Sequence, residues 1–95
     1  MDTSLQFPLI AIRIIKEQEL IIGPLAWDEA GKVAGLNIDQ SHNSVSLAGD
    51  GKDIIDHLVA QYERIFGRAS HAVCHDAVKD LVVQMSPEEV PSSLK

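Results

Sequence analysis

The chain has 95 residues, 45% of them hydrophobic and 23% charged, the composition of one globular domain rather than of a disordered chain. Eight basic residues against fourteen acidic ones give a formal net charge of −6 with no basic stripe, which disfavours nucleic acid and anionic lipid as partners. The few aromatic residues (Phe7, Trp27, Tyr62 and Phe66) offer no platform for stacking bases and imply an aliphatic core.

Residues 1–6 read as a loose start. Phe7-Pro8 opens the first element, with Pro8 at a first helical position. Residues 9–22 carry two patterns. Ile10, Ile12 and Ile14 alternate as in a strand, whereas Lys16-Glu17-Gln18-Glu19 holds good helix formers and no turn former. At helical spacing Ile10, Ile14, Ile15, Ile21 and Ile22 share a broad face with Gln18, and Arg13, Lys16 and Glu17 lie largely opposite. Helix is the preferred reading, with strand as the alternative. The apolar runs 9–15 and 20–22 fall short of the ~20 residues of a membrane span. The segment around Asp2 has no basic region, so no secretory signal is expected, and the expected location is the cytoplasm.

Gly23-Pro24 is read as the end of one helix and the start of the next, which should run from Leu25 to Ala34 and close at Gly35. Leu36-Asn37-Ile38-Asp39 and Ser44-Val45-Ser46-Leu47 alternate apolar with polar around a polar four-residue link, the pattern of a β-hairpin. Its apolar face (Leu36, Ile38, Val45, Leu47) must pack on helices or extend a sheet across a dimer. Gly49-Asp50-Gly51 is a turn, and Asp50 or Asp53 can cap the next helix, over 53–66, where Ile54, Ile55, Leu58, Val59, Tyr62, Ile65 and Phe66 form one stripe. Gly67 ends it, and Ser70 can cap a last long helix reaching about Met85 with Cys74, Ala77, Val78, Leu81 and Met85 on its apolar face. Ser86 to Glu89 has capping-box spacing, but Pro91 permits only a short turn, and 86–95 reads as a loose tail. The expected fold is α+β: two N-terminal helices, a hairpin and two C-terminal helices in a single domain over 1–95.

Cys74 is the lone cysteine, so no internal disulfide forms. His71, Cys74 and His75 stand at helical i, i+3 and i+4 spacing, which suits a zinc ion if a fourth ligand arrives from His57, His42 or an acid. The competing reading makes Cys74 a buried small hydrophobe with histidines flanking its stripe. Cysteine followed by histidine also occurs at covalent haem attachment, but His71 stands where that motif has its first cysteine. Cys74 as a nucleophile lacks a base, because His75, its neighbour in sequence, points about 100° away on a helix. Asp50-Gly51-Lys52-Asp53 lacks the spacing of a phosphate or calcium loop and reads as a turn. The acid pairs Asp28-Glu29, Asp53/Asp56 and Asp76/Asp80 read as solvated surface.

Three functions follow. The first is a non-enzymatic interaction or accessory module without a cofactor, homodimeric or part of a larger complex, since the isoleucine load of the N-terminal third exceeds one helical stripe. Ile10, Ile14, Ile21 and Trp27 are its expected interface, with Trp27 suited equally to a core. The second is a metal or tetrapyrrole sensor built on His71, Cys74 and His75. The third is a small enzyme using His57 or His75 as a base in a pocket between subunits.

Overall fold

A computed structural model describes residues 3–95, with Met1 and Asp2 outside it. Helix α1 (Thr3–Ile22) settles the ambiguity of the first segment. Its buried positions Ile10, Ala11, Ile14, Ile15 and Gln18 recur at the spacing of a helical stripe, with Ile12 half-buried on the flank. Pro8 lies inside this helix and not at its first position, because the helix begins upstream at Thr3. The part of the expected loose start from Thr3 to Gln6 is therefore helical.

Gly23 ends α1 with φ +72°, its N–H donating to the Glu19 carbonyl at 2.9 Å. Pro24 then leads into α2 (Leu25–Ala30), which stops well short of the expected Ala34. The reason is local. Gly31 is a poor helix former, and the chain tightens through short-range bonds from Lys32 N–H to the Glu29 carbonyl and from Val33 N–H to the Ala30 carbonyl, both 3.1 Å.

Strands β1 (Leu36–Asp39) and β2 (Ser44–Leu47) pair antiparallel with Leu36 opposite Leu47 and Ile38 opposite Val45. That register puts all four apolar side chains on one face, which packs against the core shared with α1. At the hairpin's base the Ala48 N–H donates to the Gly35 carbonyl at 2.7 Å. Gly35 has φ +84°, and a Cβ there would stand 2.8 Å from the Ala48 carbonyl oxygen, so both conformation and space require glycine.

Asp50 caps α3 (Gly51–Phe66), its carboxylate accepting from the backbone N–H groups of Lys52 (2.9 Å) and Asp53 (3.4 Å). Ile54, Ile55, Leu58, Val59 and Tyr62 are buried. Ile65 is exposed and Phe66 only half-buried, so the expected stripe thins before the helix ends. Helix α4 (Arg68–Val82) follows directly from Gly67. Ser70 is no cap: it lies buried in the first turn of α4, where its carbonyl accepts from Gln18 Nε2 at 3.2 Å. Helix α1 runs antiparallel to α4, as the links Arg13 to Asp80 and Gln18 to Ser70 require.

The C-terminal residues are not a loose tail. They form 3₁₀ turns at Pro87–Glu89 and Ser92–Leu94; the second turn packs against α3 and α4, and Val90, Pro91 and Leu94 are buried. Three local apolar anchors repay the ordering of a short segment once polar bonds fix its direction. Asp56 supplies those bonds, accepting from Ser93 N–H (3.0 Å) and Ser93 Oγ (2.6 Å).

Candidate functional site

Helix α4 separates two surface features. On one flank lies a shallow cleft lined by Glu63, Arg68, His71, His75, Asp76 and the tail residues Ser93 and Lys95. His71 is held from both sides: Nδ1 lies 3.0 Å from Glu63 Oε2, and Nε2 lies 2.5 Å from the Ser93 carbonyl oxygen. A general base or a metal ligand presents a ring nitrogen to its target. Here both nitrogens of His71 face protein oxygens, so its role in the structure is to tie α3, α4 and the tail together. His75 lines the same cleft with Nδ1 3.7 Å from Asp76 Oδ1.

Cys74 does not join the two histidines. It is fully buried on the core side of α4, and Gln18 Nε2 donates to its Sγ at 3.4 Å. Burial pushes the thiol up to about 11, with the Gln18 bond acting in the opposite direction. The i, i+3, i+4 spacing thus divides between two faces: 71 and 75 look to the cleft, 74 to the core. Among the described residues no three His, Cys, Asp or Glu side chains are arranged to hold a metal ion. His42 is occupied by Asp39 at 2.7 Å in the hairpin loop, and His57 is exposed on α3.

The other flank of α4 faces α1 across a groove of about 460 Å³. Arg13, Glu17 and Ile21 line one wall at four-residue spacing on α1, and Val73, Asp76, Ala77 and Asp80 line the other on α4. Spacings of three and four place each set on one side of its helix, so the groove follows the two helices for about 12 Å. Ile21, Val73 and Ala77 are its apolar lining, and the other four lining residues are charged. Arg13 closes one end, bonding Asp80 with oxygens at 3.0 and 3.2 Å and the Ala77 carbonyl at 3.4 Å. Ile21 is 62% exposed at the other end, and the next residue back, Leu20, is 79% exposed. Among the described residues Glu17 makes no ion pair.

The expected interface set divides accordingly. Ile10 and Ile14 are fully buried and Trp27 is 1% exposed, so these three belong to the core and are not open to a partner; Ile21 alone is on the surface. Helix α1 packs against α2, α3, α4 and β2, so its broad apolar face is covered from several directions within one chain. The sequence reading missed Arg13, Glu17, Val73 and Ala77 as one surface. The signal was present in the repeat of Arg13, Glu17 and Ile21 every four residues, but nothing local says which helix lies opposite. Two acids read as solvated are also engaged: Glu29 is buried, and Asp56 holds the tail.

No helix among the described residues is long and apolar enough to cross a membrane. No protein-family model, curated protein or solved structure matches the chain.

Proposed function

We propose that this protein is a small non-enzymatic interaction or accessory module that joins another protein chain through the face carrying the α1/α4 groove. One observation carries this reading: Ile21, with most of its surface in solvent, lines a groove between two helices together with the apolar side chains of Val73 and Ala77. Single exposed hydrophobes are ordinary, but one that shares a groove between two helices with further apolar side chains is a natural docking face. The His71 cleft contributes less to a functional reading, because its central imidazole is engaged by Glu63 and Ser93.

The test is photo-crosslinking from a benzoylphenylalanine placed at position 21, compared with the same probe at Ala60, an exposed position on α3. Covalent capture of a protein from position 21 and not from position 60 supports the module, whether the captured chain is a second copy or another protein. Equal yields from both positions, or none from 21, reject it.

A further inference from the structure

We infer that the occupant of the α1/α4 groove is a basic amphipathic helix of a different protein, and not a second copy of this chain. The inference rests on the docking role proposed above and adds the chemistry of the partner. Three features of the groove point the same way.

The walls are helical rows, Arg13, Glu17 and Ile21 against Val73, Asp76, Ala77 and Asp80. A furrow between two antiparallel helices receives the ridge of a third helix, whose residues at i, i+3, i+4 and i+7 would meet Ile21, Val73 and Ala77. An extended peptide would need an open strand edge for its backbone groups, and the paired strands β1 and β2 lie on other elements than the groove walls.

The charges lining the groove are unbalanced. Three acids, Glu17, Asp76 and Asp80, stand against one cation, Arg13, and that cation is spent on Asp80. Glu17 has no ion pair among the described residues, and Asp76 has only the His75 imidazole at 3.7 Å. Lysines or arginines flanking the apolar stripe of a docking helix would meet these two carboxylates on opposite walls.

The same charges oppose self-association. Two copies meeting groove to groove would bring like acids together across the contact, and each chain carries −6 overall. Like-charge juxtaposition at an interface selects against that partner, so the groove discriminates against its own chain as it favours a cationic one.

The experiment uses two synthetic helical peptides of roughly four turns with leucine at i, i+3, i+4 and i+7 and either lysine or glutamate elsewhere. A third peptide has the lysine composition in scrambled order. Binding to the full chain is read by fluorescence anisotropy. The patterned lysine peptide should bind at least tenfold tighter than both the glutamate peptide and the scrambled one. Ile21→Gln should weaken it several-fold, and raising salt from about 0.05 to about 0.3 M should weaken it further. In the Glu17→Lys/Asp76→Lys variant the order of the lysine and glutamate peptides should reverse, with helical circular dichroism unchanged because both positions are exposed.

Equal binding of patterned and scrambled peptides, or no reversal in the double variant, overturns the inference. A self-crosslink from position 21, with a native mass of two chains, leaves the docking module standing and overturns the basic partner. Failure of all capture from position 21 removes both.

Discussion

The indole Nε1 of Trp27 donates to Glu19 Oε2 at 2.7 Å, across the break at Gly23 and Pro24. This bond fixes the angle at which α2 leaves α1, because it joins the last turn of one helix to the first turn of the next. Tyr62 adds a second tether from below, its hydroxyl donating to the Ala26 carbonyl at 2.6 Å. Together they let a six-residue helix, too short to persist alone, hold its place.

Glu19→Ala should therefore destabilise the fold by about 1–3 kcal/mol, since it leaves a buried indole N–H without its acceptor. Glu19→Gln should cost less, because an amide oxygen still accepts. Trp27→Ala should cost about 3–5 kcal/mol through lost burial and the cavity left behind. Urea titrations followed by far-ultraviolet circular dichroism measure all three. A Glu19→Ala variant as stable as the parent would show that the bond does not restrain α2.

Glu29 gives the fold an acid limit. Gln61 Nε2 donates to its Oε1 at 2.8 Å and Lys32 Nζ to its Oε2 at 3.1 Å, and these bonds, Gln61's first, hold the carboxyl below the usual carboxylate value of 4.5. A depressed folded value means that the unfolded chain takes up the proton first as pH falls. The stability contributed is whole above 4.5 and is lost as pH drops through the lower folded value. Glu29→Gln should lower stability in the neutral region and leave it little changed below the folded carboxyl value, so that the acid limb of a stability-against-pH curve flattens. An unchanged acid limb would place the sensitivity in other carboxylates.

Several elements were legible because their signals are local. The spacing from Ile54 to Tyr62, the Gly23-Pro24 break and the alternation on either side of residues 40–43 each need only near neighbours, and α3, the break and the hairpin follow them. The length of α2 depended on Gly31 and on short-range bonds that periodicity does not show. The fate of Ile10 and Ile14 depended on how many elements surround α1, which is a property of topology. Ser93 meets Asp56 across 37 positions of sequence and His71 across 22, so the seating of the tail had no local signature.

Cys74 was legible as a buried residue, and its chemistry follows from that. With the thiol raised to about 11, little thiolate exists near neutral pH, and the side chain is closed to solvent. Labelling by a maleimide at pH 8 should be at least a hundredfold slower in the native chain than in urea. The proton also sets an alkaline limit. The unfolded thiol ionises near 9.0 and the folded one near 11, so the folded state holds the proton longer and stability falls as pH rises through that window. The part due to this residue is about 2–3 kcal/mol at most, from ~1.4 kcal/mol per unit. Cys74→Ala should remove the portion of the alkaline loss that begins near pH 9. Labelling at equal rates with and without urea would mean that the thiol is reached without unfolding.

Val90, Pro91 and Leu94 are buried, and Ser93 is bound at three atoms: its N–H and hydroxyl by Asp56, its carbonyl by His71. Asp56→Ala removes both Asp56 bonds and should cost about 1–3 kcal/mol, with Asp56→Asn recovering part of it through its amide oxygen. Leu94→Ala should cost about 2–5 kcal/mol, the range for an aliphatic side chain emptied from a packed core. The two losses should be non-additive, because releasing Ser93 also withdraws Leu94 from the core. A double-mutant cycle by urea denaturation reads this as a coupling of about 0.5–3 kcal/mol. If instead the tail binds as independent contacts, the double variant will lose the sum of the single losses. Deleting residues 90–95 separates the tail from the groove as well: it should lower stability and leave binding of the lysine peptide unchanged at temperatures where the chain remains folded, since the groove walls belong to α1 and α4 alone.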